Sequence, residues 1–175
     1  SLRRLQTDYI DLYQLHNPRI DTIESDDVFE LLEDLVTEGK IRHYGVALGP
    51  DIGWFEEGEA AMKHRDIPTL QIIYSIMEQQ PARQFFPIAE QAKTGLLTRV
   101  PHASGLLDGT YTRDTVFEPT DHRSHRRQEW LTKGLQKLAT LDFLTQQVSG
   151  TMGQTAIKFA LSGSQVASVL PNITN

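Results

Sequence analysis

Residues 8–16, DYIDLYQLH, decide the fold class of this 175-residue chain, because they read as a buried strand that ends in a histidine. A helical pattern follows at about 26–38, and a second apolar strand follows at 41–46. A strand, a helix and a strand in this order form a β-α-β unit, which implies a parallel sheet. Chemistry in parallel α/β folds collects at the carboxyl ends of the strands. We therefore predict that His16 lies where a catalytic group is expected.

The same alternation continues along the rest of the chain. Short apolar runs rich in Ile, Leu and Val predict five parallel strands, at 8–15, 41–47, 69–73, 96–100 and 166–170. Helices are predicted at 26–38, at 52–64 with Asp51 as N-cap, at 81–92, at 128–147 with or without an interruption, and from a Thr151–Gln154 capping box to Leu161. This order fits an α/β protein, built either as an open doubly wound sheet or as part of a barrel.

Composition and charge narrow the function classes. The net charge is −6 with acidic and basic residues mixed, which argues against a nucleic-acid partner or an anionic membrane surface. No apolar run approaches ~18 residues, and the absence of cysteine leaves no thiolate metal site. We expect no metal and a cytoplasmic location. The basic cluster at 122–127, HRSHRR, is either a solvated loop or a site for an anionic cofactor or substrate.

Five segments in register resemble the aldo-keto reductase family. They are DYIDLYQLHNP at 8–18, LLEDLVTEGKIRHYGVA at 31–47, QIIY at 71–74, RVPHASGLLDG at 99–109 and SVLPNITN at 168–175. The resemblance implies an α/β fold, a partial (β/α)8 TIM barrel of about five parallel strands with flanking helices. It further implies that residues 1–175 form a single domain, the C-terminal portion of the barrel, without its N-terminal strands and final C-terminal helices.

The resemblance assigns catalysis to His16. In the family the matching histidine lies beside the carbonyl being reduced and can donate a hydrogen bond to its oxygen, which gains negative charge. A packing role is the alternative for a histidine at a strand end. The family's proton-donating tyrosine, and the lysine and aspartate that tune it, belong to the first strands of the barrel and have no match in this sequence.

The resemblance also implies an NADP(H) site. The matching glutamine, Gln71, binds the nicotinamide carboxamide, and Arg99 takes the position that stacks on the nicotinamide ring. The resemblance assigns the pyrophosphate to Val100, Pro101, His102 and Ser104. It assigns the 2′-phosphate to Thr174 and Asn175. This sequence departs from the family pattern at Ala47 and Leu48, where a Ser-Asn pair is usual, at His102, where leucine is usual, and at Thr110, where lysine is usual.

Two functions remain open on the sequence alone. The first is an NADPH-dependent aldo-keto reductase that converts small aldehydes or ketones to alcohols. The 175-residue chain by itself is expected to have no catalytic activity. The second is a non-catalytic binding or regulatory module derived from the same barrel. In either case the strand edges at 8–15 and 166–170 are expected to be unpaired, and side chains such as Leu12 and Ile73 to be uncovered. We expect a second chain, the missing half of the barrel or a homo-oligomer to cover them.

Overall fold

The computed structural model describes residues 1–126, 128–147 and 150–171, and within them five strands form one parallel sheet. The strands lie side by side in chain order: β1 Ile10–His16, β2 Ile41–Ala47, β3 Thr69–Ile73, β4 Gly95–Arg99 and β5 Val166–Leu170. Every neighbouring pair is parallel. The five predicted parallel strands are confirmed, although β1 begins two residues later than predicted and includes His16.

Helices connect the strands. In chain order they are α1 Leu2–Leu5, α2 Ile20–Ile23, α3 Asp26–Thr37, α4 Phe55–His64, α5 Gln80–Ala92, α6 Gln128–Ala139, α7 Phe143–Gln147 and α8 Met152–Leu161, with 3₁₀ helices at Ala103–Asp108 and His122–His125. The predicted region 128–147 is interrupted between α6 and α7. The predicted capping box opens α8, because the Thr151 hydroxyl accepts from the Gln154 amide and the Gln154 side chain accepts from the Thr151 amide.

The N-cap prediction at Asp51 was wrong. The Asp51 carboxylate accepts a hydrogen bond from the Gly53 amide at 3.0 Å, which makes a local turn, and α4 begins only at Phe55. An aspartate can close such a turn on the amide two residues ahead as easily as it can cap a helix. The competition between these two uses moved the helix start by three residues.

The core lies between the sheet and its covering helices. Leu70, Ile72 and Leu96 are fully buried on the helix side of β3 and β4, where they join one cluster with Phe85 and Ala89 of α5. A second cluster joins the 3₁₀ helix Ala103–Asp108 to α6 and α8; its buried members are Ile76, Ala103, Leu106, Leu107, Leu131 and Ala156. This second cluster fixes the segment that follows β4 against the body of the protein.

The face of the sheet that points away from the core helices is the open face, and the two outer strands of the sheet each have an unpaired edge within the described residues. Within the described residues, β1 pairs only with β2 and β5 pairs only with β4. Leu12 is partly exposed, as expected, but Ile73 is 8% exposed, so the prediction that Ile73 would be uncovered was wrong. Ile73 lines a small cavity with Leu48, Ile52 and Trp54, so the segment that follows β2 covers it. No described helix combines the length and the apolar character that crossing a membrane requires.

Candidate functional site

The strand register brings the predicted catalytic and nicotinamide positions to one level of the sheet. His16 is paired with Ala47, and Ala47 is paired with Gln71. Parallel partners point to the same face, and neighbouring strands lie about 4.8 Å apart, so the Cα atoms of His16 and Gln71 are about 10 Å apart. Both side chains therefore face the open side of the sheet, with His16 at the carboxyl end of β1 and Gln71 at the same level in the middle of β3.

His16 is exposed at the end of β1. Its ring makes no hydrogen bond within the described residues. The next residue, Asn17, has a φ of 53° and donates its amide to the carbonyl of Ala47 at 2.8 Å, which ends the strand immediately after the histidine. Asparagine tolerates this left-handed conformation better than most residues. The ring of His16 is thus free to bind an oxygen atom on the open face.

The end of β2 offers no polar side chain to a ligand. Ala47 and Leu48 are 5% and 6% exposed, and Leu48 packs into the main core. The backbone continues the sheet, since the Leu48 amide donates to the Gln71 carbonyl at 3.0 Å. The two positions where the resembling family has hydrogen-bonding side chains therefore supply backbone atoms only.

One layer further from the strand ends, Gly45 allows β2 and β3 to approach closely. A Cβ atom on Gly45 would lie 2.2 Å from Thr69 Oγ1 and 2.6 Å from the Thr69 carbonyl oxygen. Gln14 and Thr69 flank this glycine in the register, and the buried atoms Gln14 Nε2 and Thr69 Oγ1 have no hydrogen-bond partner among the described residues. Unpaired buried polar atoms are uncommon. The unpaired atoms of Gln14 and Thr69 lie next to His16 and Gln71 on the open face, and a further polar group would be stabilised there.

Arg99 reaches across the strand ends. It is paired with Ile73 in the register, and its Nη2 donates to the carbonyl of Gly49 and, at 3.4 Å, to that of Leu48. Burial lowers the pKa of Arg99, and the nearby Glu78 carboxylate opposes this shift. An arginine remains charged at neutral pH in such a setting. A partly buried positive charge thus lies between the ends of β4 and β2.

The segment that follows β4 has an unusual backbone. Val100, Ala103 and Ser104 have φ values of 59°, 49° and 60°, and Gly105 has a φ of 96°. Non-glycine residues rarely occupy this region, and they persist there only where the surroundings fix them. A Cβ on Gly105 would lie 2.3 Å from the Tyr111 hydroxyl. The turn is therefore specified both by its own conformation and by a close neighbour.

The later part of the same loop folds back over this turn. The Tyr111 hydroxyl donates to the Ser104 carbonyl at 3.1 Å, Arg123 donates to the Tyr111 hydroxyl, and Arg126 donates to Ser104 Oγ at 3.1 Å. Burial raises the pKa of Tyr111, while the Arg123 charge opposes that shift. The hydrogen bond to Asp121 raises the pKa of Arg123. Two guanidinium groups are thus held beside Ser104, at the position where the sequence predicts an anion.

Comparison with known proteins agrees with this geometry. The model of the aldo/keto reductase family matches residues 1–175. The chain belongs to the aldo-keto reductase family. It is 29% identical to the uncharacterized oxidoreductase YqkF of Bacillus subtilis, over 97% of this chain and 52% of the relative. It is 28% identical to the NADH-specific methylglyoxal reductase of Escherichia coli, over 99% of this chain and 53% of the relative.

Solved aldo-keto reductase structures share the fold. The glycerol dehydrogenase AKR11B4 of Gluconobacter oxydans matches with a TM-score of 0.79 and 27% identity, over 98% of this chain and 52% of that one. The apo form of AKR11C1 of Bacillus halodurans matches with a TM-score of 0.71 and 31% identity, over 99% and 55%. The chain spans about half the length of these relatives. Its five-stranded parallel sheet is accordingly part of an aldo-keto reductase (β/α)8 barrel.

The sequence-predicted residues of this aldo-keto reductase chain fall into three groups. His16 and Gln71 share one face, and Arg99, Val100, Pro101 and Ser104 follow at the end of β4. His102 turns away from the open face, because its Nδ1 lies 3.1 Å from Asp108 Oδ1 and its Nε2 lies 3.3 Å from the Gly153 carbonyl. Thr174 and Asn175 lie outside the described residues.

Sequence reasoning missed the two side chains that hold the Ser104 turn. Tyr111 and Arg126 were not singled out, although Arg126 belongs to the HRSHRR cluster that indicated an anion site. The charge of the cluster indicated the site, but Arg126 and Ser104 are 22 positions apart, so no local pattern predicted their contact. Within the described ranges, no group of three or more His, Cys, Asp or Glu side chains is arranged to hold a metal ion.

Proposed function

We propose that this chain supplies the carbonyl-orienting and cofactor-binding half of an NADPH-dependent reductase that converts small aldehydes or ketones to alcohols. The observation that carries the proposal is that Gln71 of β3 lies on the same face and at the same level of the sheet as His16, which ends β1. A catalytic histidine and a nicotinamide-binding amide need this proximity, because the carbonyl must lie against the nicotinamide ring.

The described residues fit a dinucleotide in part. Gln71 offers a donor and an acceptor on the open face, and the Ser104 turn with Arg126 offers a hydroxyl and a positive charge for a phosphate. A relative with 28% identity is named as NADH-specific, which supports a nicotinamide cofactor. The positive charge of Arg126 beside Ser104 suits the pyrophosphate, which NADP(H) and NAD(H) share, so the choice of NADP(H) rests on the family resemblance.

The chemistry assigned to this chain is orientation and charge stabilisation. A bound reduced nicotinamide supplies the hydride that the carbonyl carbon accepts. A His16 ring N–H donates a hydrogen bond to the carbonyl oxygen, which gains negative charge as the hydride arrives. The proton that completes the alcohol comes from a group that these 175 residues do not provide, so we expect the isolated chain to have no reductase activity.

One observation favours the second function, a binding or regulatory module. The end of β2 is apolar at Ala47 and Leu48, which removes two side-chain ligands of a nicotinamide. A relative with 24% identity, from Arabidopsis thaliana, is named as a probable voltage-gated potassium channel β subunit. Under this alternative the open sheet face binds another protein, and NADPH is not oxidised.

The test uses the protein as its gene encodes it, with NADPH and a panel of small aldehydes and ketones. We expect NADPH oxidation that depends on the carbonyl compound. Replacing His16 by Asn should lower kcat by about 10²–10³-fold, the usual cost of losing an oxyanion hydrogen-bond donor. The dissociation constant of NADPH should stay within about twofold, since the histidine contacts the substrate.

The control is His64→Asn. His64 is exposed at the end of α4, whose C-terminus lies at the amino edge of the sheet, and this change should leave kcat unaltered. Equal kcat values for the His16 variant and the unaltered protein would remove His16 from the reaction. NADPH binding without any turnover across the panel would support the binding module instead.

A further inference from the structure

The apolar end of β2 raises the question of what binds the nicotinamide carboxamide. A carboxamide has one strong acceptor, its oxygen, and one donor, its NH2 group. Even if Gln71 pairs with it through one donor and one acceptor, the second lone pair of the oxygen and the second N–H of the NH2 group still lack a partner. Ala47 carries no polar side-chain atom, and Leu48 turns into the core. A second hydrogen-bonding side chain must therefore come from another strand if the proposed cofactor is held firmly.

Arg99 provides that side chain at the same place. Its Nη2 is bound to the carbonyls of Leu48 and Gly49, so the guanidinium lies over the residues that end β2. Arg99 lies two residues beyond Leu97, the partner of Gln71, which puts the Cα atoms of Arg99 and Gln71 about 8 Å apart. Both side chains can reach one small polar group between them.

The guanidinium of Arg99 also has N–H groups that are not used in hydrogen bonds to the described residues. Nε and Nη1 of Arg99 make no hydrogen bond within the described residues, while Nη2 is held by two backbone carbonyls. A guanidinium is planar and carries five N–H groups, so it can keep its hold on the backbone and present another edge to a ligand. The carbonyls of Leu48 and Gly49 thereby fix the orientation of the donors that remain.

We propose that Arg99 binds the carboxamide oxygen of the nicotinamide, in place of the side-chain ligands that positions 47 and 48 lack. The inference rests on the proposed function. It differs from ring stacking, the role that the family resemblance implies for this position. In the proposed arrangement Arg99 donates to the carboxamide oxygen and Gln71 accepts from its NH2 group. Arg99 is then a cofactor-binding residue that acts through hydrogen bonds in the plane of the carboxamide.

The decisive variant is Arg99→Tyr in the gene-encoded protein, with NADPH binding measured by fluorescence titration. Tyrosine keeps the capacity to stack on the nicotinamide and loses the guanidinium donors. We expect the dissociation constant of NADPH to rise at least tenfold, because a hydrogen bond to a charged group is lost. The dissociation constant of 2′,5′-ADP, which has no nicotinamide, should not change.

Two further variants separate this role from a structural one. Arg99→Lys keeps a charged donor and should bind NADPH with intermediate strength. Adding Ala47→Ser to Arg99→Tyr restores a hydroxyl donor at the end of β2, and it should recover part of the lost affinity for NADPH only. Thermal unfolding of each variant identifies any that does not fold, and the Lys variant then serves as the test.

The outcomes are distinguishable. If the Tyr variant binds NADPH as tightly as the unaltered protein, Arg99 merely stacks or is not involved; our inference is then wrong and the proposed function stands. If the unaltered protein binds neither NADPH nor 2′,5′-ADP, the cofactor proposal fails and the Arg99 inference fails with it. Equal weakening of NADPH and 2′,5′-ADP would show a general structural role and would overturn the inference.

Discussion

At the scale of single residues, glycines set how closely the layers of the protein approach. Gly45 lets β3 lie against β2, and Gly58 does the same between α4 and its neighbours. A Cβ on Gly58 would lie 2.6 Å from two ring carbons of Phe85 and 2.9 Å from a methyl group of Leu48. Phe85 is 2% exposed and Leu48 belongs to the same core, so neither has free space to move into.

This crowding predicts the sign of a helix substitution. Gly→Ala inside a helix normally stabilises by about 1 kcal/mol. For Gly58→Ala we expect the opposite, a loss of about 1–3 kcal/mol in the free energy of unfolding, because overpacking outweighs the propensity gain. Urea denaturation measures the change. Gly53→Ala is the control, since its Cβ would meet only Asp51 Oδ1 at 3.4 Å; a Gly58 variant as stable as this control would contradict the prediction.

At the scale of elements, one hydrogen bond links α3 to β2 on the outside of the sheet. The Tyr44 hydroxyl donates to Glu33 Oε1, and the Tyr44 ring packs edge-on against Phe29, with 6.0 Å between ring centroids. Burial and the bond to Glu33 raise the pKa of Tyr44 from 10.0 to about 12. The neutral hydroxyl is thus favoured in the folded protein, because an ionised Tyr44 would face a carboxylate.

The raised pKa predicts an alkaline stability difference. In the unfolded chain the tyrosine loses its proton near pH 10, whereas folded Tyr44 keeps it until about pH 12. Its contribution to stability is fully present below pH 10 and is lost as the pH rises towards 12. We therefore expect the free energy of unfolding to fall more steeply with pH over this range for the unaltered protein than for Tyr44→Phe. The difference in slope corresponds to the loss of at most one proton per molecule on unfolding. Chemical denaturation at successive pH values tests this, and parallel slopes would refute it.

Element positions were largely predictable, whereas side-chain partners were not. Apolar runs bounded by Gly and Pro located β2 and β3 to the residue, and the capping box located α8. The short helix α2 and the two 3₁₀ helices were missed, because they have too few residues to show a hydrophobic period. Arg99 was predicted from the resemblance to stack on a ligand. Its bonds to the Leu48 and Gly49 carbonyls depend on packing across three strands, which no local pattern encodes.

At the scale of the whole molecule, the described sheet has two margins with one neighbour each. Tyr13 on β1 and Leu170 on β5 are 37% and 41% exposed, large values for apolar side chains on a sheet. Unpaired strand edges recruit other strands, and exposed apolar groups favour association. We therefore propose that the remaining part of the barrel, a second chain or a second copy of this one covers these margins.

This inference predicts self-association of the isolated 175-residue chain. Light scattering should report a mass above that of a monomer, rising with protein concentration. Tyr13→Lys should shift the distribution towards monomer, because a charge on an edge strand opposes pairing. Val116→Lys is the control: Val116 is 89% exposed in the loop between the two 3₁₀ helices, and its replacement should not alter the mass. A monomer at all concentrations would disprove the association.

The agreement between strand order and chain order has a consequence for how the protein is made. When each strand from β2 to β4 leaves the ribosome, the preceding strand with which it pairs has already been made, so the sheet can grow during synthesis. β5 is different, because residues 100–165 must emerge before it can pair with β4. For that interval β4 is the margin of the sheet, and its edge that faces away from β3 is unpaired. A translational pause within that stretch would lengthen the time for which this edge of β4 is unpaired, and we expect such a pause to lower the yield of folded protein.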